Sequence, residues 1–160
     1  VLMHRPLLPV SCVAYAALAL LVCAIWGTPQ ASAGPRYFSA EDGVAIRGYD
    51  PVSFFIAEAP ERGQRDHAVM WKGAIWLFRS AENQSRFESN PRAYAPRFGG
   101  HCAYGMARGL LFDGDPLSWE IVDGRLFLFH NPRVETLWQA DPEQMIQSAR
   151  AVWPSILRQE

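Results

Sequence analysis

The sequence predicts an α+β fold: one small single domain in which antiparallel β-hairpins pack against short helices. Three observations carry this. Two pairs of apolar, aromatic-rich runs are joined by the dipeptides Lys72-Gly73 and Asp123-Gly124, and Asp-Gly between apolar runs is the strongest short signal for a tight hairpin. Helix-capping residues follow each pair: Ser80 after the first, then Asn131 and Asp141, each before a proline, after the second. The last segment repeats its apolar residues at helical spacing, with Met145, Ile146, Ala149 and Val152 on one face.

Taken in order, residues 44–46 read as a short strand ahead of Gly48-Tyr49. Asp50-Pro51 reads as a helix start, with Asp50 as N-cap, Pro51 first in the helix, and Val52, Phe54 and Phe55 as its apolar side. Residues 58–66, EAPERGQRD, are charged, hold Pro and Gly, and lack periodicity, so they read as a surface loop. Runs 68–71 and 74–78 form the first hairpin. Ser80 caps a helix from 81 to about 89, and Asn83 supplies half of a capping box. Asn90-Pro91 restarts a short helical turn ending near Pro96. Asp113 and Asp115, in DGDP, read as a turn and an N-cap because Pro116 follows. Runs 119–122 and 125–129 form the second hairpin. Helices from 133 to about 139 and from 142 to about 153 complete the chain.

Residues 1–33 read as a signal peptide. His4 and Arg5 start it, an uncharged apolar run extends from about residue 7 to 26, and Ala31-Ser32-Ala33 is a cleavage site. The domain proper is then 34–160, delivered to the periplasm or secreted. A run of about twenty residues also suffices to span a bilayer, so an uncleaved N-terminal anchor is the alternative, and membrane contact is expected through that segment alone. Val1 suggests an alternative or misplaced start, with Met3 as the other beginning. Cleavage removes Cys12 and Cys23 and leaves Cys102 alone, unable to form an intramolecular disulfide.

Composition excludes several classes. A hydrophobic share of 49% is that of a folded chain, not a disordered one. Net charge is −1 and the 15 basic residues are scattered along the sequence, so nucleic-acid binding and a polybasic membrane patch are not expected. HExxH, CxxC, GxSxG and phosphate-loop patterns are all absent, and no enzyme is expected.

Secondary structure leaves one segment unexplained: 98–109, FGGHCAYGMARG. Gly99, Gly100 and Gly105 permit backbone shapes and close approaches that other residues avoid. His101, Cys102 and Met106 are soft or borderline ligands of the kind that suit copper or zinc. Adjacent His and Cys side chains diverge in a strand, whereas on a helix or tight turn Cys102 and Met106 share a face. The plainer alternative is a glycine-made turn with Cys102 packed in the core. His67 and His130, at the head and the exit of hairpin strands, read most simply as solvated or locally bonded side chains. Trp71, Trp76, Phe78, Phe87, Tyr94 and Phe98 read as core.

GVAIRGYDPVSFF, then WKGAIWLFRSAENQSRFESNPRAYAPRFGGHCAYGMARG, then DPLSWEIVDGRLFLFHNP resemble the exported branch of the YHS domain family, over about residues 37–153. The wider family is similar to metal-binding, treble-clef-like modules of copper-transporting ATPases, in which a hairpin and a helix present Cys ligands. The resemblance therefore implies a YHS-like fold and a metal site. The family's first Cys, after Asp-Pro-Val, is Ser53 here, and residues 78–83 hold none of the others. The branch's Cys in GG-x-CAY is Cys102, preceded by His101 where an aromatic residue is common. The expectation is an exported, periplasmic module binding copper or zinc through Cys102 with help from His101, Met106 and His67. Its affinity falls in acid because a thiolate must form. The alternative is a non-metal module for a small ligand or a protein partner, with Cys102 buried and inert.

Overall fold

Three dipeptides fold this chain back on itself. Asp42-Gly43, Lys72-Gly73 and Asp123-Gly124 each have positive φ at both residues, the two-residue turn geometry whose twist matches that of the strands it joins. In the computed structural model, which describes residues 37–158, they close three antiparallel hairpins. These are β1 (Ala40–Glu41) with β2 (Val44–Ala45), β3 (Gln64–Trp71) with β4 (Ala74–Phe78), and β5 (Asp115–Val122) with β6 (Arg125–Phe129). The first two hairpins join in one sheet of order β1-β2-β4-β3, parallel where Val44 of β2 faces Ile75 of β4. The third is a two-stranded sheet of its own. The fold is α+β, with hairpins packed on short helices. Residues 1–33 lie outside the described part, and no described helix is long and apolar enough to cross a membrane.

The helices begin where the caps predict. Ser80 accepts a hydrogen bond from the Asn83 amide and starts α2 (Ala81–Ser89). Asn131 accepts from the Arg133 and Val134 amides and starts α5 (Pro132–Trp138). Asp141 accepts from the Gln144 amide and starts α6 (Pro142–Val152). Three short helices complete the set: α1 (Ser53–Ile56), α3 (Pro91–Tyr94) and α4 (Ala103–Ala107).

Four local expectations are corrected. Ile46 does not extend β2: its φ of +42° opens a 3-10 turn, Ile46–Gly48, that buries its side chain. The loop expected over 58–66 ends early, because β3 starts at Gln64, whose side-chain amide donates to the Arg79 carbonyl (2.9 Å). Asp115 caps no helix. It opens β5, and its carboxylate accepts from the Leu117 amide (3.0 Å) in a local turn that interrupts the ladder until Trp119. Asp50, finally, is not the N-cap of α1, which starts at Ser53 after Val52, and Pro51 lies in the turn before it. Asp50 is fully buried, and one carboxylate oxygen accepts from the Val52 amide (2.8 Å). The other accepts from the Arg79 amide (2.9 Å) and the Asn83 side chain (2.6 Å). One anion thus ties the turn before α1 to the end of β4 and to α2.

Strand β6 divides the interior. Leu126 and Leu128 belong to a core with Phe38, Trp76, Phe78 and Phe87, under the four-stranded sheet. Phe127 and Phe129 belong to a second core with Phe98, Met106, Trp138 and Ala149, against α4, α5 and α6. Alternate residues of a strand point to opposite faces, so the uninterrupted apolar run Leu-Phe-Leu-Phe is what a strand buried on both faces requires.

Removing the Asp50 carboxylate leaves buried donors without acceptors, each costing about 1–3 kcal/mol. Asp50→Ala is therefore expected to lower the unfolding free energy by about 3 kcal/mol in urea titrations. A loss below about 1 kcal/mol would contradict its linking role.

Glu120 of β5 yields a second test. Burial first, and the Glu135 carboxylate second, push its carboxyl above the ordinary glutamate range, against the Trp138 indole N–H. The folded chain then keeps this proton to higher pH than the unfolded chain does. Stability is unaffected below the unfolded value of about 4.3 and falls as pH rises through the higher folded value. Glu120→Gln removes that loss. Its melting temperature should exceed the parent's at pH 7, with the gap narrowing toward pH 4; a lower value at pH 7 would refute the account.

Candidate functional site

The glycine-rich segment 98–109 is first of all a backbone crossing. Phe98, Gly99 and Gly100 all have positive φ, in a 3-10 turn over Arg97–Gly100. The Gly99 carbonyl accepts from the Ser39 amide (2.8 Å), and a Cβ at Gly99 would collide with the Tyr37 carbonyl oxygen. Gly99 therefore answers both to its φ and to its neighbour. The Gly100 carbonyl accepts from the Gly114 amide (3.1 Å), and the Cys102 amide donates to the Phe112 carbonyl (2.8 Å). His101 bridges Asp113 and Cys102 bridges Leu128 of β6.

That crossing sends the expected ligands in different directions. Cys102 is 1% exposed and is the N-cap of α4, its Sγ accepting from the Gly105 amide (3.4 Å). Because it precedes the helix, the helical face it was expected to share with Met106 does not form. Met106 packs into the second core. His101 is extended and Cys102 takes the N-cap conformation beside it, and the two side chains have different surroundings. The buried His101 ring lies 5.9 Å from that of Trp153, with Nδ1 3.7 Å from the Asp113 carboxylate. His67 stands in β3, at the ladder break between Gln64 and Ala68, in the four-stranded sheet. Among the described residues no group of three or more His, Cys, Asp or Glu could hold a metal ion.

Cys102 instead lines a pocket of about 220 Å³. Gly105, Leu110, Phe112 and Val134 form hydrocarbon walls, and His130 shares the lining. Arg108 lies over the Tyr104 ring, 4.8 Å from its centroid, beside them. His130 is locally bonded: Nδ1 is 3.1 Å from the Asp113 carbonyl and the ring 5.9 Å from that of Phe112. Leu110 and Phe112 are about half exposed, at 50% and 48%, so the apolar lining reaches the surface. A space of this size and chemistry suits a group about as large as a benzene ring.

A second cleft escaped the sequence reading. It measures about 690 Å³ and gathers Lys72, Arg92, Arg97 and Arg125 beside Trp71 and Trp153. The four cations come from the β3–β4 turn, α3, the 3-10 turn and β6. No spacing in the chain signals such a convergence, and the basic residues read there only as scattered along the sequence.

A thiol buried this deeply reacts only when the structure opens. Native protein should label with a bulky aromatic disulfide at least about a hundredfold more slowly than protein in urea; equal rates would place Cys102 at the surface. Compared with known proteins, the chain matches no family model, no curated protein and no solved structure.

Proposed function

We propose that the protein is a non-catalytic binding module whose pocket beside Cys102 takes a small apolar group, the thiol being part of the wall. One observation carries this reading: Cys102, 1% exposed, borders a hydrocarbon-lined recess while its Sγ is already engaged by the Gly105 amide. Ligand pockets are commonly apolar with a few polar groups that set orientation, and His130 and Arg108 are the polar groups here. We further propose that the chain is an exported member of the YHS domain family. The order of the quoted motifs supports membership, and the pattern of residues 1–33 supports export.

A second reading, a copper or zinc ion held through Cys102, has one observation in its favour: His130 lines the same pocket as Cys102. His101, Met106 and His67 do not fit that set, since each packs elsewhere. Two protein donors fall short of the three or four of protein zinc sites, whereas thiolate suits Cu(I).

The two readings separate in one set of measurements. Toluene or indole titrated into the labelled protein should shift the amide resonances of Gly105, Leu110 and Val134. Val134→Phe, which fills the recess, should abolish those shifts. No shift in the parent, or shifts unchanged in the variant, would refute the apolar pocket. The metal reading requires copper or zinc content near one equivalent after exposure to the ion, lost in Cys102→Ser; equal content in both proteins would refute it.

A further inference from the structure

The larger cleft carries an inference independent of Cys102. Four cations line it: Lys72, Arg92, Arg97 and Arg125. None of the four is in an ion pair among the described residues, and no described lining residue is acidic. Like charges held together raise the energy of the fold unless something of opposite sign joins them. The crowding bears on Arg97. Burial first, then the Arg125 and Arg150 guanidinium groups, push its proton affinity below the ordinary arginine range.

The same cleft presents flat aromatic surfaces. Tyr37 and Trp153 meet edge to face at 5.1 Å. The Lys72 ammonium lies 5.2 Å from the Tyr37 ring centroid and 5.0 Å from that of Trp71, so it joins the aromatic surface to the cationic one. Rings that hold one cation have faces suited to stacking. At about 690 Å³ the volume is in the range of small-molecule sites.

We propose that this cleft binds a planar organic anion: an aromatic ring bearing a phosphate or carboxylate, with the charged group on Arg97 and Arg125 and the ring against Trp71, Tyr37 and Trp153. Guanidinium groups favour such oxyanions because their planar fork donates two parallel hydrogen bonds.

The test is calorimetric titration of the full chain with 1-naphthyl phosphate, 1-naphthoate, uncharged 1-naphthol and inorganic phosphate. The two aryl anions should bind, more weakly as salt rises. Naphthol and inorganic phosphate should each bind at least about tenfold more weakly. Arg125→Gln, at an exposed position, should weaken aryl-anion binding about tenfold without lowering the melting temperature, since it also relieves repulsion on Arg97. Arg97→Gln provides a second measurement where circular dichroism shows it folded. The proposal is overturned if neither aryl anion binds, if naphthol binds as well as they do, if inorganic phosphate binds equally, or if Arg125→Gln changes nothing.

Discussion

The structure depends on β6 being buried on both faces. Its four apolar residues, Leu126 to Phe129, are each no more than 2% exposed, and they alternate between two cores. Full burial of such side chains stabilises a fold by about 1.5–3 kcal/mol each, so this short strand contributes to both halves of the interior. A strand in that position has little tolerance for slippage, because a shift of one residue exchanges every side chain between the two cores. The Asp123-Gly124 turn pins its register, pairing Val122 with Arg125 at once. The parallel bridge from Cys102 to Leu128 then fixes the 98–102 segment to it.

This constraint changes how the glycine-rich segment is understood. As a string of letters, FGGHCAYGMARG looks like a metal-binding loop. In the fold, Gly99 and Gly100 are where the chain crosses close against residues 37–39 and 114. His101 and Cys102 bridge two different neighbours. The chemistry at Cys102 follows from what the crossing leaves beside it, a small apolar recess rather than a ring of donors.

Most of the fold was legible because its signals are local. An Asp-Gly or Lys-Gly turn and a Ser, Asn or Asp cap each act within a few residues, and the second and third hairpins, α2, α5 and α6 stand where those residues predict. Of the first hairpin only a strand over 44–46 is read from the sequence, because two-residue strands show too little alternation to mark a pair, although Asp42-Gly43 is an Asp-Gly turn. Asp50 reads from the sequence as a helix N-cap, although the N-cap of α1 is Val52; its bonds to Arg79 and Asn83 were not legible, since they join residues about thirty positions apart. The candidate site was legible only at Cys102. Divergence from Met106 hinged on whether Cys102 stood inside the helix or one residue before it, and the cationic cleft arises from four separate elements.

The reach of the contacts also sets an order of assembly. Each hairpin closes over two residues, so little chain freedom is lost in forming it. Ser39, by contrast, donates from its hydroxyl to Asp113 across 74 residues, and its amide reaches Gly99. Distant contacts of this kind are entropically slow to make until nearby structure has shortened the path. The N-terminal strand pair is therefore expected to dock after the two longer hairpins have closed, and a chain lacking it would leave the Phe38 side of one core open to water.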